Sequence, residues 1–163
     1  MTVEFSPATE AEEIGRDLIP KHHGHLIGAR VDFIFRSKPA KSKGQEVLGK
    51  ARKLSGLNAY LAGGNESDGS EEFFVIELSA QHWKELTESQ KRALVDHELE
   101  HCIADEDDNG VWKLGIAPHD VEEFASVLKR HGLWRSDLRS FAQIAQQQLD
   151  LAGVDPETGE ITE

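Results

Sequence analysis

Apolar residues in the first half of the chain follow the spacing of β-strands. In residues 26–36, Val31, Phe33 and Phe35 alternate with mostly polar neighbours, which is typical of a strand with one buried face. In residues 72–78, four apolar residues are consecutive, which is typical of a strand buried on both faces. The pattern therefore predicts at least two strands of one sheet.

Turn signals and helical periodicity divide the rest of the chain. Two more extended segments are predicted at 46–53 and 57–61. A Lys- and Ser-rich loop is predicted before them at 37–45, and a polar, mobile loop after them at 65–70. The predicted helices cover 8–18, 89–104, a segment opening at 118–124, and 137–152, and a short strand is predicted at 111–116. This order predicts an α+β fold in which a small, mostly antiparallel or mixed sheet of three or four strands packs on the helix at 89–104. Two C-terminal helices complete a single domain at 1–153, and a disordered polar tail follows at 154–163.

Several residues mark where these helices begin and end. Pro20 is predicted to end the first helix, because proline disfavours a helical conformation in the residue before it. Asp120 and Glu123 have the spacing of a capping box for the third helix, and Gly132 stands where a C-terminal cap belongs. Ser136 is predicted to cap the last helix.

The helix at 89–104 has the clearest start signal in the chain. Thr87 and Gln90 form a capping box at its beginning, and no Gly or Pro interrupts it. Its apolar residues fall on one stripe and are Val95, Leu99, Cys102 and Ile103. The opposite side of the helix carries His97 and His101, while Asp96 and Glu100 occupy a third, polar sector.

Residues 97–101 read H-E-x-x-H. Residues four apart on a helix lie on one face, so the imidazoles of His97 and His101 can bind one Zn²⁺. Glu98 lies about 100° further round the helix, within reach of a water on the metal, which is the arrangement of zinc peptidases. The competing interpretation is an amphipathic helix with two surface histidines.

A catalytic zinc keeps three protein ligands and one open position, so a third ligand must come from downstream. The candidates are His119, Glu122 and Glu123, and the two glutamates can equally serve the start of the next helix. Asp120 is a candidate acceptor for the second nitrogen of a ligating imidazole.

Three other features favour ordinary structural roles. The histidines around Gly24, at positions 22, 23 and 25, lie beside a proline and are predicted to form a surface turn without metal. Residues 105–110 copy the first half of a calcium loop, but Ile116 stands where its bidentate glutamate belongs, so a solvated acidic turn is favoured. Cys102 falls on the apolar stripe and is predicted to pack in the core.

The net charge of −12 argues against general binding to nucleic acid or to an anionic membrane. A cluster of basic residues between Arg30 and Lys53 is nevertheless compatible with a local basic patch on the surface. No apolar run approaches the roughly 20 residues of a membrane span, and the first residues lack the pattern of a signal peptide. A single cysteine permits no internal disulfide, so we expect a cytoplasmic protein.

Four segments together resemble the putative phage metallopeptidase family, a group of small zincin-like proteins of phages and bacteria. They are residues 17–23 (DLIPKHH), 47–59 (VLGKARKLSGLNA), 95–102 (VDHELEHC) and 119–124 (HDVEEF). The resemblance implies a zincin-like α+β fold, His97 and His101 as ligands, Glu98 as the acid/base residue and His119 as the downstream ligand. Asn58, Ala59 and Tyr60 also resemble the edge strand with which several zinc peptidases pair an extended substrate.

The predicted activity is hydrolysis of peptide bonds in a peptide or protein substrate, with one Zn²⁺ as cofactor. Glu98 is predicted to take the proton of the attacking water and to deliver it to the leaving amine. Tyr60, Arg130 and His131 are candidates for stabilising the oxyanion. The alternative is a phage or bacterial interaction module that keeps the fold with a structural zinc and has no turnover.

Overall fold

The computed structural model describes residues 2–63, 72–151, 153, 155 and 157–160. It contains two compact units, Met1–Ala117 and Pro118–Glu163. The loop predicted at 65–70 lies outside the described residues, as does part of the tail predicted at 154–163. No helix within the described ranges has both the length and the apolar character needed to cross a membrane.

The first unit is built on a mixed four-stranded sheet. Its helices are α1 (Thr9–His22), α2 (Gly56–Leu61), α3 (Ala80–Trp83) and α4 (Glu88–Glu100). Its strands are β1 (Phe5–Pro7), β2 (Val31–Arg36), β3 (Ala40–Ser42), β4 (Gln45–Val47), β5 (Gly49–Leu54), β6 (Phe73–Ser79), β7 (Cys102–Glu106) and β8 (Trp112–Ile116). The sheet order is β1-β2-β6-β5, with β2 parallel to β6 and the other pairs antiparallel. Strands β3–β4 and β7–β8 form two separate antiparallel pairs. The α+β class and the mixed sheet are therefore confirmed.

Strand β6 is the centre of the core, as its apolar run predicts. All seven of its residues are buried. Phe74, Ile76 and Leu78 pack in the main core with residues of α1 and α4, whereas Phe73 and Val75 pack in a smaller cluster with Ala59 of α2. Helices thus cover both faces of the sheet.

Helix α1 is longer than predicted and lies close against β2. A Cβ on Gly15 would lie 2.5 Å from the Phe33 ring, so only glycine permits this approach. The predicted end before Pro20 is wrong, because the helix continues to His22. The residue after the helix, His23, is buried, and its N–H bonds the carbonyl of Ile19. Burial beyond the proline offsets the backbone hydrogen bond that proline cannot donate.

Helix α4 begins as predicted and ends earlier. Both hydrogen bonds of the Thr87–Gln90 capping box are present. The helix stops at Glu100, and Cys102 begins strand β7, so the predicted end at residue 104 is wrong. Pairing of β7 with β8 replaces the last helical turn, and Ile103, placed on the apolar stripe by the helical pattern, is exposed.

Two assignments before the buried strand are also corrected. Residues 57–61, predicted to be extended, lie in helix α2, where Ala59 is buried against β6. The loop predicted at 37–45 contains the β3–β4 hairpin, with Lys43 and Gly44 in left-handed conformations at its turn. The strand predicted at 111–116 is confirmed as β8.

The second unit contains helices α5 (Ala125–His131) and α6 (Ser136–Asp150), which brings the helices among the described residues to six. The capping box predicted from Asp120 and Glu123 is wrong, because α5 begins only at Ala125 and has no side-chain cap. Gly132 caps its C-terminus with a φ of 65°, as predicted. Ser136 is the first residue of α6 instead of its cap.

Candidate metal centre

His97 on α4 and His101, which caps the C-terminus of α4 in a helical conformation, lie one turn apart, as the motif predicts. Their ring centroids are 5.1 Å apart with an interplanar angle of 81°. One ligand nitrogen of each ring lies within 4.8 Å of the other. An ion bonded to both at about 2.0–2.1 Å needs the nitrogens about 3–4 Å apart, a separation that lies within this limit. The two imidazoles therefore fit a shared divalent cation.

The ring of His101 is held by the backbone. Its Nδ1 lies 2.7 Å from the carbonyl oxygen of Ala117, and the Ala117 N–H bonds the His101 carbonyl at 2.7 Å. In the neutral ring Nδ1–H is the donor of this bond, so the lone pair is on Nε2. Ligating histidines in proteins are usually oriented in this way. For His101 the acceptor role predicted for Asp120 is thus filled by Ala117.

Glu98 points to the sheet instead of to solvent. Glu98 is only 3% exposed. Burial raises the pKa of the carboxyl group, while the charge of His101 and a hydrogen bond from the Ala51 backbone N–H act in the opposite direction. The pKa of the Glu98 carboxyl group is therefore higher than that of an exposed glutamate and so closer to neutral pH.

Gly49 of β5 makes room for this carboxyl group. A Cβ at Gly49 would lie 2.8 Å from Glu98 Oε1 and 3.0 Å from Leu78 Cδ2. Any larger residue would therefore have to displace Glu98 or the core side chain. Reasoning from the sequence missed Gly49, since no local signal relates it to Glu98.

Cys102 packs beneath the helix, as predicted. It is buried, and its Sγ lies 3.6 Å from the Glu98 carbonyl oxygen. Burial, followed by the charge of Glu98, raises the pKa of the thiol to about 12. A thiol with that pKa is neutral at physiological pH and is not a nucleophile or a ligand.

The downstream candidates belong to the second unit. His119, Asp120 and Glu122 are exposed and lie in a stretch without helix or strand before α5. Glu123 accepts hydrogen bonds on both carboxylate oxygens, from the Trp134 indole at 3.1 Å and from the Phe124 N–H at 2.8 Å. These contacts favour a role for Glu123 in holding this segment.

The predicted substrate strand is not a strand. Asn58, Ala59 and Tyr60 lie in helix α2, where Ala59 is buried and Tyr60 is 59% exposed. A helix offers no free strand edge for an extended peptide, so the edge-strand interpretation of these residues is wrong. The edge strand that passes Glu98 is β5. Of the other oxyanion candidates, Arg130 and His131 end helix α5.

The predictions for the histidines around Gly24 and for the acidic residues at 105–110 have different outcomes. The surface turn predicted around Gly24 is wrong for His23, which is completely buried and hydrogen-bonds Asp96 of α4. Of the acidic turn predicted at 105–110, Asp105 and Glu106 lie in β7, and a turn follows in which Asp107 Oδ1 accepts from the N–H groups of Asn109 and Val111.

Comparison with known proteins gives a family and no close relative. No curated protein and no solved structure matches the chain. The family described as "Putative phage metallopeptidase" matches residues 3–145, a span that includes the H-E-x-x-H motif and His119. The match covers most of the 163 residues. The chain therefore belongs to the putative phage metallopeptidase family.

Proposed function

We propose that the protein is a zinc-dependent peptidase with a zincin-like active site centred on helix α4. The observation that carries the proposal is the pairing of two imidazoles on one helical face with a buried carboxyl group between them in sequence. Membership of a family described as metallopeptidases supports a metal and a peptide or protein substrate.

His97 and His101 would hold the ion, with His119 as the third ligand. Chain connectivity supports His119, because it follows two residues after Ala117, whose carbonyl is bonded to the His101 ring. Consecutive Cα atoms are about 3.8 Å apart, so the Cα of His119 lies within about 7.6 Å of that of Ala117. Glu122 remains the competing donor, whereas Glu123 is engaged elsewhere.

A zinc ion bound there would supply Lewis acidity, polarising the scissile carbonyl and lowering the pKa of water to about 7. Glu98 would accept the proton of the attacking water and donate it to the leaving amine. In the metal-free protein burial raises the pKa of this carboxyl group, and the charge of a bound cation would act in the opposite direction. Gly49 and the Ala51 N–H would position the carboxyl group during these transfers.

Strand β5 would align the substrate. It is the outer strand of the four-stranded sheet, and the segment from Gly49 to Ala51 passes directly beside Glu98. An extended peptide that pairs with the part of this edge not used by Glu98 would form main-chain hydrogen bonds and so present its own amide groups in register. Pairing of this kind favours an extended segment of a polypeptide as substrate.

The test compares purified wild-type protein with Glu98→Gln, using zinc analysis and a library of internally quenched peptides. The variant should keep its zinc, while hydrolysis should fall about 10²–10⁴-fold, the range for losing a general base. Glu88→Gln is the matched control, because Glu88 lies on the same helix with its side chain 82% exposed. Hydrolysis that survives in Glu98→Gln, or zinc-loaded wild type that cleaves no peptide, would overturn the proposal and favour an interaction module.

A further inference from the structure

A second group of potential ligands lies on a different face of helix α4. It consists of His23, Asp96 and Glu100, each of which offers a ligand atom within 4.8 Å of the others. Asp96 and Glu100 are four residues apart and therefore share one helical face, next to the face that carries the histidine pair. His23 comes from the segment after α1, so the group joins two separate parts of the first unit.

His23 is buried, and only one of its two ring nitrogens has a hydrogen-bond partner. Its Nε2 lies 2.6 Å from Asp96 Oδ1, the distance of a strong, charge-assisted hydrogen bond. Its Nδ1 is buried and has no hydrogen-bond partner. Leaving a buried polar atom unpaired costs about 1–3 kcal/mol, so a partner for this nitrogen would stabilise the folded protein.

Glu100 is the side chain that faces the unpaired nitrogen. Its Oε1 lies 3.9 Å from His23 Nδ1, too far for a hydrogen bond. The separation matches an ion placed between them, because zinc bonds to nitrogen and carboxylate oxygen are each about 2.0–2.2 Å long. The Glu100 side chain is 75% exposed, so it can adjust and leave further coordination positions open to water.

We propose that His23 Nδ1 and Glu100 bind a second divalent cation, of the zinc class, with Asp96 holding the other nitrogen of His23. A ligating histidine usually donates its second N–H to a carboxylate, which is the contact that Asp96 makes. A cation here would tie the end of α1 to α4 and stabilise the helix that carries the active-site residues. With two protein ligands, this site should bind zinc more weakly than the site of His97 and His101.

The test removes the first site and asks whether zinc still binds. In the double variant His97→Ala/His101→Ala, isothermal titration with Zn²⁺ should give one equivalent, and zinc should raise the melting temperature. Adding Glu100→Gln should weaken that binding at least about 10-fold, the lower end of the range for losing a contact around a metal. Because Glu100 is exposed, this variant should fold normally.

Glu88→Gln in the same double variant is the matched control and should leave zinc binding unchanged, because Glu88 lies at the other end of α4. A double variant that binds no zinc would overturn the proposal. So would equal zinc affinity of the Glu100→Gln and Glu88→Gln forms. Neither outcome depends on peptide hydrolysis, so the second site and the proposed activity fail separately.

Discussion

Replacing Gly49 with alanine tests whether β5 positions Glu98. The added Cβ would lie 2.8 Å from Glu98 Oε1 and 3.0 Å from Leu78 Cδ2, and both of these residues are buried. Overpacking a core costs about 1–3 kcal/mol. Alanine also restricts the unfolded chain, which returns about 0.4–1 kcal/mol where the backbone conformation is compatible. We therefore expect the free energy of unfolding to fall by about 1–2 kcal/mol.

Gly115→Ala is the matched control for this substitution. Gly115 is also a strand glycine, but the nearest atom to its added Cβ would be Ile103 Cβ at 3.8 Å, an ordinary contact. This variant should gain up to about 1 kcal/mol. Urea unfolding of the metal-free proteins measures both changes on the same scale.

Hydrolysis of the quenched peptide library provides the second readout. A displacement of about 1 Å at a catalytic group can cost 10²-fold in rate, so Gly49→Ala should lose activity on that order while Gly115→Ala keeps it. Positioning of Glu98 by β5 is refuted if Gly49→Ala is as stable as wild type and as active as Gly115→Ala. Loss of stability without loss of activity would mean that Leu78, not Glu98, absorbs the clash.

Three further predictions concern α4 and its surroundings. Because its pKa is about 12 and it is buried, Cys102 should resist a thiol-reactive disulfide reagent at pH 8 until the protein is unfolded; rapid labelling of the native protein would contradict this. Thr87→Ala should lower the free energy of unfolding by about 1 kcal/mol through loss of the capping box, while Thr87→Ser should restore most of it, as measured by urea unfolding. In the metal-free protein, the raised pKa of Glu98 means that the folded state binds the proton more tightly than the unfolded state. Its contribution to stability should therefore be present below the ordinary glutamate pKa and decline as pH rises through the raised value, a decline that Glu98→Gln should abolish in urea titrations at several pH values.

The features that the sequence predicted correctly depend on short-range spacing. The capping box at Thr87 and the histidine pair each involve residues three or four positions apart, so helix geometry alone brings them together. The buried strand at Phe73–Ser79 was predictable because consecutive apolar side chains avoid water only where both faces of a strand are covered, which in a small fold is the core.

The features that were missed depend on partners far away in the sequence. His23 and Asp96 are 73 positions apart, so nothing near Gly24 indicates that this histidine is buried. Residues 57–61 form a helix because Ala59 packs under the sheet, a contact that local periodicity cannot reveal. Helix α4 ends early because β7 pairs with β8, which shows tertiary pairing prevailing over a helical pattern.

The most direct measurement for the proposed metal centre is anomalous X-ray scattering at the zinc edge from crystals of the zinc-loaded protein. A peak is predicted at about 2.0–2.1 Å from one nitrogen of His97 and from Nε2 of His101, with His119 completing the protein ligands. The Nδ1 of His101 should remain bonded to the Ala117 carbonyl. Fully loaded crystals without a peak between His97 and His101 would contradict the account.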